Sequence, residues 1–203
     1  MLVSERSFIY IRDMRIKDTQ KQKAVIDATI KVVNKHGFNT ASISKIAKEA
    51  GVSQATIYIY YKNKEDLVVS VYYIVKESLT SYYHKDISDD CSIEENLRSV
   101  WSNSIKAHRL MPELLSYDQQ FTYSPFYDLI DKNRMQIFAK PLNDLLEKGI
   151  RENMLKEMPF GVFIAFFGAP AVFISTRKMF SNFALNEKNI EDTFQIAFCA
   201  VKK

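Results

Sequence analysis

The sequence predicts an all-α fold, and three observations carry that prediction. Only 5 of the 203 residues are Gly and 5 are Pro, so tight turns are scarce. Apolar residues recur three and four positions apart along most of the chain. The alternation that a half-buried strand needs is confined to Ser70–Ile74, where a longer helical pattern absorbs it. With 47% hydrophobic and 26% charged residues, the chain can fold around a core.

Taken in order, residues 1–16 fit no amphipathic stripe and are expected to form an N-terminal arm, either frayed or basic enough to follow a nucleic-acid groove. A first helix is predicted from Lys17 to His36, because Ala24, Val25, Ala28, Thr29, Val32 and Val33 form one apolar stripe. Gly37 follows as its cap.

The most informative stretch is Ser42 to Tyr61. Ser42 suits the N-cap of a short helix ending at Ala50, Gly51 supplies a left-handed turn, and Ser53 caps a second short helix to Tyr60. Ala47 is small where the two helices must cross, and Ile46, Ala50, Val52, Ile57 and Tyr60 fall on the inward faces. Together these satisfy the steric needs of a helix-turn-helix. Asn63 caps the next helix, which runs to about Tyr83 with Glu65 and Asp66 at its positive end.

The remaining elements read as helices at Ile93–Leu110, Pro112–Phe121, Ser124–Asn153, Pro159–Phe183 and Glu187–Lys202, with Pro141 expected to kink or divide the third of these. The predicted organisation is therefore an arm (1–16), a three-helix helix-turn-helix domain (17–67) and a helical C-terminal domain (68–203).

Charge distribution points the same way. Through Asp66 there are 12 Lys+Arg against 7 Asp+Glu, a balance of +5, whereas the remainder has 16 against 17, a balance of −1. A basic N-terminal third on a near-neutral remainder suits nucleic-acid binding at one end. In that role the second short helix enters the major groove. Gln54 can pair with adenine, Thr56 can reach a base edge, and Ala55 places a methyl group at the base-facing surface. Ser42, Ser44, Ser53, Tyr58 and Tyr60 offer hydroxyls to the backbone, and Lys45 and Lys64 offer cations. Tyr60 also occupies an inward position, so core packing competes for it.

Ile46-Ala47, Ala50-Gly51-Val52-Ser53, Thr56-Ile57-Tyr58, Tyr60-Tyr61 and Asn63-Lys64-Glu65-Asp66-Leu67 together resemble the DNA-binding domain of TetR-family regulators. The chain departs mildly, with Ala55 where a glycine is common and Tyr61 where phenylalanine is common. The resemblance implies a homodimer with a C-terminal ligand-binding and dimerisation domain. It also implies a repressor released from a palindromic operator by a small-molecule effector. The alternative that the sequence leaves open is an activator, or an architectural DNA-binding protein that has no inducer.

Met158–Thr176 contains nineteen residues without a charge, close to the length of a membrane span. Pro159 and Pro170 interrupt it, and it is read instead as a buried core or dimer helix. Phe167, Ala171 and Ile174, with Phe194 and Phe198 on the last helix, are expected at the dimer interface. Trp101, Tyr127 and Phe163, with Tyr72, Phe121 and Phe167, are candidates to line a pocket for an apolar or aromatic ligand.

Enzyme motifs (GxSxG, HExxH, P-loop, GxGxxG) are absent, and His36, His84 and His108 stand apart. No cofactor or metal is expected. Cys91 and Cys199 have no metal-ligand spacing, and Phe8–Ile11 is too short for a signal core, so a cytoplasmic protein is expected.

Overall fold

The computed structural model describes residues 5–176 and 185–203. Every element among them is helical: α1 (Glu5–Thr40), α2 (Ile43–Ala50), α3 (Gln54–Tyr60), α4 (Lys64–His84), α5 (Ile93–Leu110), α6 (Pro112–Thr122), a 3₁₀ turn (Pro125–Leu129), α7 (Lys132–Arg151), α8 (Phe160–Phe163), a π-helical stretch (Ile164–Gly168), α9 (Ala169–Thr176) and α10 (Glu187–Val201). One isolated antiparallel bridge, Leu155 to Lys202, ties the end of the chain to the segment after α7.

The helix of α1 begins at Glu5, so most of the expected arm is helical. Neither Gly nor Pro lies between Glu5 and His36, and nothing in that run stops propagation. The break comes at Gly37, whose φ of 74° lies in the left-handed region. The expected single helix over Ser124–Asn153 is instead the 3₁₀ turn followed by α7, which Asp131 caps by accepting from the Asn133 backbone N–H. The helix continues through Pro141. The part of the predicted Pro159–Phe183 helix beyond Thr176 lies outside the described residues.

The chain forms two compact units. The first comprises residues 1–75 and 116–130, and the second residues 76–115 and 131–203. This differs from a boundary at 67/68: the upper part of α4 and the end of α6 join the N-terminal helices. Aromatic packing explains it. Phe38, just past the Gly37 break, meets Tyr117, Phe121 and Phe126 at 5.3, 5.6 and 5.5 Å between ring centroids. Tyr72 stacks on Phe121 at 3.9 Å, and the buried Tyr117 hydroxyl donates to the Val68 carbonyl at 2.9 Å.

The second unit is built on an aliphatic and aromatic cluster from α5, α7, α8, α9 and α10, including Leu97, Trp101, Leu145, Phe163, Phe167, Phe194 and Phe198. Pro170 accounts for the π-helical stretch before it. It has no N–H to bond the Phe166 carbonyl and its ring crowds that oxygen, and just before it the Ala169 N–H bonds Ile164, five residues back. No helix among the described residues is long and apolar enough to cross a membrane.

Candidate nucleic-acid interface

The helix-turn-helix is assembled by local backbone chemistry. Ser42 caps α2 by accepting from the Lys45 N–H, and Ser53 caps α3 by accepting from the Thr56 N–H at 3.1 Å. Between them Gly51 sits at φ 66°, ψ 30°. The Val52 N–H bonds the Ala47 carbonyl at 3.0 Å and the Gly51 N–H bonds Lys48 at 3.3 Å, the double bond of a Schellman turn. Ile46, Ala47 and Ile57 are buried, which locks the inner faces of α2 and α3 together. Asn63 then caps α4 by accepting from the Asp66 N–H, while the Asp66 carboxylate accepts from the Lys62 N–H, both at 2.8 Å.

This leaves one exposed surface. Ser42, Ser44 and Lys45 on α2, and Ser53, Gln54, Ala55 and Tyr58 at and on α3, are all exposed. Thr56 is half-buried and shares a 2.9 Å hydrogen bond with the Ser53 hydroxyl. Lys45 bends back to donate to the Thr40 carbonyl at 2.9 Å, leaving its charge on the surface.

Two predicted backbone contacts are committed to the fold instead. The Tyr60 hydroxyl donates to the Asp18 carboxylate on α1. That bond, followed by desolvation, pushes the Tyr60 hydroxyl pKa up to about 12. Lys64 donates to the Phe38 carbonyl at 2.6 Å and stands 5.6 Å from the centroid of the Phe126 ring. Both side chains therefore help to position α3 and α4. Sequence reasoning missed the reverse case, Ile59, which is 75% exposed on α3. Its signal was its place opposite the inward Ile57.

The predicted ligand-lining residues divide between the two units. Trp101, Phe163 and Phe167 share the cluster of the second unit, whereas Tyr72, Phe121 and Tyr127 belong to the first. Trp101 lies 5.5 Å from Phe167 and 6.0 Å from Phe194, ring to ring. It is 2% exposed, and its indole N–H meets no acceptor among the described residues. The predicted dimer residues also turn inward: Phe167, Ala171, Phe194 and Phe198 are buried in the protomer's own cluster, and Ile174 packs against it. The helices there are apolar on more than one side, so the core takes one face. Val162, Phe166, Phe173 and Ile196 are left outside.

Known proteins that resemble the chain agree with one another. Residues 25–71 match the family model of bacterial regulatory proteins of the tetR family, and residues 92–202 match a tetracyclin repressor-like C-terminal domain. A fatty acid metabolism regulator protein of Bacillus subtilis is 30% identical over 149 residues, spanning 68% of this chain and 72% of that one. The crystal structure of a TetR-family regulator from Marinobacter aquaeolei superposes with a TM-score of 0.82 at 30% identity, covering 93% of this chain and 99% of the other. The Bacillus subtilis regulator FadR, solved in complex with stearoyl-CoA, gives a TM-score of 0.72 at 22% identity over 87% and 97% of the two chains. The family consists of DNA-binding transcriptional regulators, not enzymes. By its two matching domains and these relatives, the chain belongs to the TetR family of bacterial transcriptional regulators.

Proposed function

We propose that this regulator is a cytoplasmic repressor that holds a palindromic operator as a homodimer and is released by an apolar effector bearing an acyl chain. The observation that carries the effector reading is Trp101. A buried indole N–H without a partner costs about 1–3 kcal/mol, and a ligand carbonyl set among Phe163, Phe167 and Phe194 relieves that cost. The names of two relatives, a fatty acid metabolism regulator and FadR bound to stearoyl-CoA, support an acyl group as the first chemistry to test. The exposed apolar residues Val162, Phe166, Phe173 and Ile196 support a second copy as the partner of the C-terminal unit.

Release follows from linkage. An effector that favours a dimer whose two α3 helices are wrongly spaced for half-sites one helical turn apart lowers operator affinity by its differential binding to the two states. Trp101 is the only tryptophan of the chain, so its fluorescence reports on this site alone. Stearoyl-CoA is expected to change that emission saturably and to weaken operator binding by about 5–150-fold, the usual range of such couplings. Saturable binding with unchanged operator affinity would remove effector release and leave only a DNA-binding role.

A further inference from the structure

The base-facing centre of α3 is apolar. Taking about 100° per residue for a helix, Ala55 and Ile59 stand about 160° on either side of the direction in which buried Ile57 points. They therefore occupy the middle of the exposed face, one turn apart. Thr56 and Tyr60 lie on one flank, and their hydroxyls are engaged with Ser53 and Asp18. Gln54 and Tyr58 lie on the other flank and are exposed.

Nothing in the fold explains Ile59. It is 75% exposed, contributes nothing to the core, and as a β-branched residue is a weaker helix former than the Lys, Arg or Gln common on solvent faces. An apolar stripe at the centre of a major-groove helix has a natural complement. The C5 methyl of thymine is the apolar group that base pairs present in that groove.

We propose that Ala55 and Ile59 read thymine methyl groups, so that each half-site carries thymine at the positions under the centre of α3, with adenine contacted by Gln54 beside them. The inference rests on the DNA-binding role of α3 and adds the chemistry by which it selects sequence. Burial of one methyl against an aliphatic side chain corresponds to about fourfold in affinity.

The test uses the full-length protein. Sites are first enriched from a random duplex library, and each thymine of the enriched half-site is then replaced in turn by deoxyuridine, which deletes only the methyl. At one or two positions the wild-type protein is expected to lose about fourfold per half-site. In Ile59→Ala the same replacement is expected to cost less than twofold, with Ile59→Val in between. An enriched site that binds equally well with deoxyuridine at every position overturns the apolar readout alone, as does an equal loss in wild type and Ile59→Ala. Failure to enrich any site overturns the role of α3 in base reading and this inference with it.

Discussion

Ile57 and Ile59 stand two residues apart on a seven-residue helix, and truncating each to alanine is expected to produce opposite phenotypes. Ile57 is wholly buried between α3 and the helices beneath it, so Ile57→Ala removes three carbons from a packed site. Such truncations cost about 2–5 kcal/mol. The middle of that range, about 3.5 kcal/mol, lowers Tm by roughly 7–14 °C at about 2–4 °C per kcal/mol for a chain of this size. Ile59→Ala removes the same atoms from a position 75% open to solvent, and stability is expected to move by no more than about 0.5 kcal/mol. Its effect falls on DNA, where losing the contact with one thymine methyl is worth about fourfold in affinity per half-site. The assay pairs thermal denaturation followed by circular dichroism with operator binding by fluorescence anisotropy. Equal losses of Tm in the two variants would refute the assignment of Ile57 to the inner face of α3 and Ile59 to the outer. An unchanged Tm for Ile57→Ala would show that the inner face is not packed at all.

Two further outcomes follow from the geometry. Placing a charge on the outward apolar face, by Phe166→Glu together with Ile196→Glu, is expected to shift the protein from dimer to monomer in analytical ultracentrifugation without loss of helical signal. The inward Phe194→Glu should instead unfold the C-terminal unit, because it buries an unpaired charge. The Tyr60–Asp18 bond has a defined pH dependence. The folded-state pKa of Tyr60 is raised above the ordinary value near 10, to about 12, so the bond contributes fully below pH 10 and is lost as pH rises through about 12. Absorbance titration at phenolate wavelengths is expected to lose a step near pH 12 in Tyr60→Phe, while the buried Tyr72 and Tyr117, whose hydroxyls desolvation pushes up further, still titrate later; an unchanged step near pH 12 would assign it to another tyrosine.

The division between what was legible in the sequence and what was not follows the range of the interactions. The helix-turn-helix was readable residue by residue. Ser42, Ser53 and Asn63 act as caps on backbone groups three residues away, Gly51 takes a conformation that other residues resist, and Ile46, Ala47 and Ile57 sit at fixed helical spacing. Each of these is settled within one or two turns of chain. The fates of Tyr60 and Lys64 were not readable. Their partners, Asp18 and Phe38, lie 42 and 26 residues away, and both side chains suit a phosphate as well as they suit those partners.

The same limit governs the C-terminal helices. Met158–Thr176 carries no charge, so no polar face marks the outside, and Pro170 shifts the register through the π-helical stretch. A period of 3.6 residues then predicts that some face is buried without saying which. Trp101, Phe163 and Phe167 were drawn together by that packing, while Tyr72, Phe121 and Tyr127 were claimed by Phe38 and the N-terminal unit. The sequence by itself therefore determined the all-α class, the DNA-reading motif and the family, because local backbone chemistry encodes them. Only the tertiary structure decided which apolar faces turn inward, since burial is shared among segments that no local pattern connects.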